Sequence, residues 1–235
     1  IKECKITINI MKAMILAAGR GKRMGSLTEK IPKPLIKINH IPLIEYNIIR
    51  IRDAGITDIV INISWLGYQI KDYLGDGSRL GVNICFIDEG AEMLGTGGGI
   101  LNALPILGLS PFWLINADLY SDFELDPSKE LDNCKLAHLI LVKNPNHHPT
   151  GDFMLSGNHV IPKTENKIID SYTFSGMSVI SPQLFDGIKQ KIFPLEPVLR
   201  QKSIEGYISG EFYEGLWTDV GSKERLKLLE DSLIK

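Results

Sequence analysis

The chain has 235 residues, 44% of them hydrophobic, with 28 acidic against 26 basic side chains and a formal net charge of −2. That length and apolar content suffice for one sizeable core, and the near-neutral balance argues against a nucleic-acid partner, leaving any cluster of cations a local feature. Three scattered cysteines (Cys4, Cys85 and Cys134) fit free thiols in a reducing cytoplasm better than a disulfide framework or zinc site, and no apolar run approaches the ~20 residues of a membrane span, nor is a signal peptide visible.

Residues 1–10 precede Met11 and are set apart as an upstream extension or tag remnant, with Met11 as the natural start. The first element is the apolar run Ile15-Leu16-Ala17-Ala18, the composition of a buried strand. It stops at Gly19-Arg20-Gly21, followed by Lys22 and Arg23, and Lys33 stands ten residues further on between Pro32 and Pro34. A buried strand running into a glycine-rich loop suits a polyphosphate, because bare backbone lets N–H groups approach the anion and Arg adds a forked donor. The same residues also suit a surface turn with scattered basic side chains. Neither the P-loop pattern nor the dinucleotide-binding glycine spacing is present.

Helical spacing of Leu43, Ile44, Ile48, Ile51 and Ala54 predicts a helix capped by Gly55. Asp58 to Ile63 reads as a buried strand, Ile70 to Leu74 as part of a helix stopped by Gly75-Asp76-Gly77, and Asn83 to Ile87 as a third strand. Such alternation predicts βαβ units and an α/β fold with a Rossmann-like, mostly parallel sheet flanked by helices. Ligands of such sheets sit beyond the C-terminal strand ends, where the loop after Ala18 falls. Leu94 to Gly99 reads as a second glycine-rich loop leading into a helix over Ile100–Leu107. It suits either contact with a flat ring, Thr96 offering a hydroxyl, or a plain strand-to-helix turn. Phe112 to Ile115 is an apolar strand that ends at Asn116-Ala117-Asp118, which puts a carboxylate at the functional edge or in an exposed turn.

After a strand at Ala137–Val142 the chain becomes polar and turn-rich through His147-His148 and Gly151-Asp152-Phe153. Adjacent histidines on extended chain point apart and have no third ligand at matching spacing, so they shape a loop rather than hold a metal. Short strands at Phe153–Leu155, Val160-Ile161 and Tyr172–Ile180 predict a small antiparallel or mixed lobe. Ser181-Pro182 opens a predicted helix to Ile188, and Leu195–Gln201 and Lys223–Ile234 are further helices. Asp219 follows the aromatic strand Leu216-Trp217-Thr218 and precedes the turn at Gly221, where it is a turn carboxylate or a ligand.

Leu16-Ala17-Ala18-Gly19-x-Gly21-x-Arg23-Met24 followed by Pro32-Lys33-Pro34-Leu35 resembles the signature of the sugar-1-phosphate nucleotidyltransferases, and the resemblance runs from about Met11 to Lys235 as one nucleotidyltransferase domain. It implies that Ala17, Ala18, Gly19, Gly21, Arg23, Thr96 and Gly97 hold the nucleotide, and that Arg23 and Lys33 act in catalysis. It further implies that Lys33, Gly151, Asp152, Ser175 and Gly176 meet the sugar phosphate in a sugar-binding lobe, and that Asp118 and Asp219 ligate Mg²⁺. Asn62-x-x-Trp65-Leu66-Gly67, Gly75-Asp76-Gly77-Ser78, Thr96-Gly97-Gly98-Gly99, His147-His148-x-x-Gly151-Asp152-Phe153 and Thr173-Phe174-Ser175-Gly176 are similar to a branch of the family that couples UTP to N-acetylmuramic acid 1-phosphate in peptidoglycan recycling. The Glu-Lys-Pro element of many hexose-phosphate relatives is missing between Phe153 and Tyr172. For the extra sugar carboxylate, Lys163 or Lys167 is the expected partner. The resemblance thus implies a cytoplasmic, Mg²⁺-dependent uridylyltransferase, a monomer or small homo-oligomer. A guanylyl- or cytidylyltransferase for another small phosphate, or a non-catalytic nucleotide-sugar sensor, are the alternatives.

Overall fold

Residues 11–132, 134–163 and 171–233 are described by a computed structural model of the chain. β1 (Ala13–Leu16) leads, through α1 (Leu27–Lys30) and a hairpin of β2 (Lys37–Ile38) and β3 (Ile41–Pro42), into α2 (Leu43–Asp53). Next come β4 (Asp58–Ile63), α3 (Gly67–Leu74), β5 (Asn83–Asp88), α4 (Gly95–Leu107), β6 (Phe112–Asn116) and β7 (Leu119–Ser121). The second half holds β8 (Ala137–Val142), β9 (Phe153–Ser156), β10 (His159–Pro162) and β11 (Ser171–Ile180), then α5 (Glu196–Ile204), β12 (Ile208–Tyr213), β13 (Trp217–Asp219) and α6 (Lys223–Leu233).

Nine strands form one sheet in the order β5-β4-β1-β6-β11-β8-β12-β10-β9. β5, β4, β1 and β6 are parallel, as the βαβ pattern implies. Beyond β6 the sheet is mixed: β11 is antiparallel to both β6 and β8, while β12 is parallel to β8. The hairpin β9–β10, anticipated as a lobe, continues this sheet, and β9 also pairs with β11.

Both faces of β1 are apolar because both are covered, the pattern of a central parallel strand. Ala13 and Ile15 face a core shared with Ile48 and Ile51 of α2 and Ile70 and Leu74 of α3. Met14 faces the opposite core with Ile100, Ala103 and Leu107 of α4 and Leu199 of α5. A third cluster packs Met24, Ile36, Ile38 and Leu43 against Val220 and Leu229, which clamps the segment after the first glycine loop onto α6.

The predicted helix over Ser181–Ile188 is only a 3₁₀ turn, Pro182–Phe185; Gly187, at φ +80°, leaves helical geometry. β12 escaped the sequence pattern because Ser209-Gly210 interrupts its apolar run. Gly210 is required there, since a Cβ would lie 2.7 Å from Val160 and 2.8 Å from the Leu139 carbonyl.

Polar side chains of α2 brace the sheet edge. Asn47 Nδ2 donates to the Leu119 carbonyl (2.9 Å) and Arg50 Nη2 to that of Phe123 (3.0 Å). Burial lowers the Arg50 pKa to about 10, against the opposing pull of Tyr213 and Asp122, and leaves the group charged at neutral pH. Glu45, also on α2, accepts hydrogen bonds from Tyr73 Oη (2.7 Å) and Arg79 Nη2 (2.8 Å). Burial alone would raise its pKa, but the bonds from Arg79 and Tyr73 and the Arg79 charge outweigh burial and hold it below its ordinary value. A carboxylate with a depressed folded pKa stabilises the fold above its unfolded value, and that contribution is lost as pH falls through the folded one. Stability should therefore decline below about pH 4.5, and Glu45→Gln should flatten part of that decline while lowering stability at pH 7, as read by urea unfolding across pH 3–7.

Candidate active site

Three parallel strands end together. Leu16, the last residue of β1, is in register with Asn62 of β4 on one side and Asn116 of β6 on the other. The chain leaves β1 with the Ala17 N–H donating to Asn62 Oδ1 (2.9 Å). Asn62 Nδ2 donates in turn to Glu89 Oε1 (2.7 Å), whose other oxygen accepts from the Leu94 N–H (2.9 Å) at the mouth of α4. One amide and one carboxylate thus tie the start of the glycine loop to the start of α4.

That loop turns at Gly21, whose φ of +65° favours glycine and where a Cβ would crowd Lys33 and Thr28 at 3.1 Å each. Thr28 Oγ1 donates to the Gly21 carbonyl (2.9 Å) and locks the turn. Ala17, Ala18, Gly19, Gly21, Arg23, Lys33 and Thr96, all singled out in the sequence, line one cavity of about 460 Å³, together with Asn62, Glu89, Asn116 and Asp118. Arg20 lies over the Trp65 ring, 4.4 Å from its centroid, on the same rim.

The second glycine stretch is a helix terminus and not a loop. α4 begins at Gly95, so Thr96 to Gly99 form its first turn. Gly97 does not line the cavity; its N–H donates to the Phe193 carbonyl, and a Cβ would collide with the Phe193 ring at 2.3 Å. Gly98 is pressed against Lys191 and Gly99 against Glu89 and Asn62 in the same way. These glycines exist to let a backbone segment and a polar pair reach the helix. The Thr96 hydroxyl accepts from the Leu195 N–H (2.8 Å) at the cavity wall.

A second cavity of about 330 Å³ adjoins the first, and Arg23, Asn116 and Asp118 line both. Its other walls include His147, His148, Asp152, Ser175, Trp217 and Asp219. Asp219 is opposite Leu119 in the β7–β13 ladder, and the Val220 N–H donates to the Asp118 carbonyl (2.9 Å), so the two aspartates, far apart in sequence, are backbone neighbours. Lys33 is ion-paired with Asp118, and Arg225 of α6 with Asp219. Burial and the charges of Arg225, His148 and Arg23 outweigh the attraction of Asp219 and hold His147 below its ordinary pKa.

Of the residues expected on the sugar side, Asp152 and Ser175 line this cavity. Asp152 is held by the Phe174 N–H (2.8 Å) and by His148 Nε2 (2.8 Å), while the Ser175 hydroxyl turns back to accept from the Met177 N–H. Gly151 and Gly176 do not line it. At Gly151 (φ +59°) a Cβ would meet Asn144 Oδ1 at 2.5 Å, and at Gly176 (φ +81°) it would meet Asn116 Nδ2 at 2.4 Å, so both make room for asparagine amides. Lys163 follows Pro162, the strand partner of Phe153, whereas Lys167 lies outside the described residues.

Two carboxylates and the Asn116 amide facing shared space form a hard-oxygen donor set that fits Mg²⁺ when substrate phosphates complete its shell. Among the described residues no group of three or more His, Cys, Asp or Glu could hold a metal alone. Sequence reasoning gave no role to Asn62, Glu89, Asn116 or Arg225. The detectable hint was a polar Asn in the otherwise apolar run Ile59 to Ile63.

Replacing Asn62 by Leu removes an acceptor from the buried Ala17 N–H and a donor from Glu89. The expected result is a loss of about 2 kcal/mol in unfolding free energy, with a higher KM for nucleotide than for the second substrate, checked by urea unfolding and steady-state kinetics.

The family model described as nucleotidyl transferase matches residues 12–151. The chain is 46% identical, over 92% of its length and 96% of the relative, to the N-acetylmuramate alpha-1-phosphate uridylyltransferase of Neisseria meningitidis serogroup B. It is 28% identical to the enzyme of that name from Caulobacter vibrioides, over 90% of this chain and 92% of the relative. The inositol-1-phosphate CTP transferase structure from T. maritima shares the fold with a TM-score of 0.77 at 20% identity, covering 96% of each chain. The chain belongs to the nucleotidyl transferase family, in the group of sugar-1-phosphate nucleotidyltransferases.

Proposed function

We propose that this protein transfers the uridylyl group of UTP to N-acetylmuramic acid α-1-phosphate, giving UDP-N-acetylmuramic acid and pyrophosphate, in the cytoplasmic recycling of peptidoglycan. The observation that carries the reaction type is the pair of adjoining cavities that share Arg23, Asn116 and Asp118. One is floored by a glycine loop suited to a triphosphate, the other by polar groups suited to a sugar. The similarity to the Neisseria meningitidis enzyme supports the choice of UTP and of the muramic sugar. Among the described residues no helix is long and apolar enough to cross a membrane.

In this reading a phosphate oxygen of the sugar phosphate attacks the α-phosphorus of UTP. A P–O bond forms as the bond to the β-phosphate oxygen breaks, and the electron pair leaves with pyrophosphate. The nucleophile is already ionised, so no general base is required. The barrier is mainly the approach of one anion to another, and alignment plus charge neutralisation is what a protein can supply. Arg23, on the wall common to both cavities, is suited to bind phosphate from either side. Lys33 borders the nucleotide cavity and pairs with Asp118, which suits a cation that moves between carboxylate and phosphate as charge develops. Asp118 and Asp219 would hold Mg²⁺, which when bound neutralises phosphate oxygens and orients them for in-line displacement.

Lys33→Ala should fold normally and lose roughly 10²–10³-fold in kcat, the scale of one well-placed charge acting on the transition state; a folded variant with near-normal turnover removes Lys33 from the mechanism. With UTP held constant, kcat/KM for N-acetylmuramic acid α-1-phosphate should exceed that for glucose 1-phosphate by about 10²-fold or more, because a site built around an extra carboxylate and amide leaves its polar groups unpaired with the plainer sugar. Pyrophosphate release with UTP, GTP and CTP tests the base. A preference for glucose 1-phosphate rejects the muramic assignment, and a preference for another nucleotide rejects UTP.

A further inference from the structure

Both carboxylates proposed as metal ligands are ion-paired with a cation, and the two cations differ in origin. Lys33 on Asp118 belongs to the signature segment, whereas Arg225 on Asp219 comes from the C-terminal helix α6. A single guanidinium nitrogen, Arg225 Nη1, bridges both Asp219 oxygens and also lies 2.7 Å from His147 Nε2. His147 Nε2 is itself 3.2 Å from Asp219 Oδ1, so two side chains, Arg225 and His147, close on the one Asp219 carboxylate, which with His147 lines the sugar-side cavity. The contact is built in and is not a surface accident. The Arg225 side chain is only 13% exposed, and its guanidinium lies against the bare Gly221 backbone, where a Cβ would fall 1.9 Å from Nη2 and push the guanidinium aside. Leu229, one helical turn further along α6, is buried with Met24, the residue after Arg23. Arg225 is therefore delivered by a helix that packs directly on the phosphate-binding segment.

We propose that Arg225 is a positioning residue that guards Asp219: it occupies the carboxylate in the free enzyme and releases it only when nucleotide and metal arrive together. A free divalent cation must displace a guanidinium that already neutralises Asp219 and a lysine that neutralises Asp118. A metal that enters on a triphosphate brings its own negative charge, on which Lys33, Arg23 and Arg225 have an alternative partner. The guard thus discriminates against futile occupation by free metal and couples metal binding to the nucleotide. The inference rests on the proposal that Asp219 is a metal ligand.

The test is Mn²⁺ binding to the full chain, followed by the electron paramagnetic resonance signal of free Mn²⁺, without sugar phosphate and with or without UTP. The wild type should bind Mn²⁺ weakly alone and much more tightly with UTP. Arg225→Met and Arg225→Gln should each raise the affinity of the nucleotide-free protein by about tenfold, the scale of one charge-assisted contact, and so shrink the effect of UTP. Arg225→Lys, which restores the charge, should return it toward the wild-type value. A merely structural role predicts the opposite sign, since a disordered site binds metal less well. Unchanged or weaker Mn²⁺ binding by both neutral variants overturns the guard. Asp219→Asn separates the two claims. If it abolishes UTP-dependent Mn²⁺ binding while the neutral Arg225 variants behave as wild type, only the guard fails. If it binds Mn²⁺ with UTP as tightly as wild type, the metal-ligand assignment fails first.

Discussion

Everything at this site follows from three parallel strands that stop at the same level. Because β4, β1 and β6 are parallel and in register, Asn62, Leu16 and Asn116 lie side by side, and each chain then leaves the sheet on the same edge. β1 emits the glycine loop, β6 emits Ala117-Asp118, and β4 contributes the amide that grips the first loop residue. Slipping one strand by a single residue would invert its side chains between core and opposite face. The apolar alternation that buries Ala13 and Ile15 on one side and Met14 on the other therefore also sets where the chemistry falls.

On that platform the remaining problem is electrostatic. A reaction between two phosphate anions needs concentrated positive charge, yet cations gathered so closely repel one another. The structure sets each of these cations against an acid, Lys33 with Asp118 and Arg225 with Asp219. These pairs are partly buried, so they are screened less than surface pairs and define geometry as well as charge.

Much of this was legible before any coordinates. Parallel strands reveal themselves as continuous apolar runs between helical patterns, and Asp58–Ile63 and Ala137–Val142 match the structure to the residue. The glycine loop, Arg23 and Lys33, picked out in the sequence as suited to an anion, do come together on one cavity. What stayed hidden was tertiary. Gly97, Gly151 and Gly176 look like ligand-facing glycines in sequence, but their missing side chains accommodate Phe193, Asn144 and Asn116. A glycine states that something comes close and not what it is. Glu89 and Arg225 were equally unreadable, since an acid in a loop and a base on an exposed-looking helix acquire meaning only from the Asn62 and Asp219 that fold against them.

The central claim is that the two cavities are halves of one site, in which the sugar phosphate attacks UTP directly with no enzyme-bound nucleotidyl intermediate. The stereochemical course at the α-phosphorus tests this most directly. With UTP bearing a single α-thio substitution of known configuration, a single in-line displacement predicts complete inversion in the nucleotide-sugar product; retention would mean two displacements through a protein nucleophile and would contradict the account.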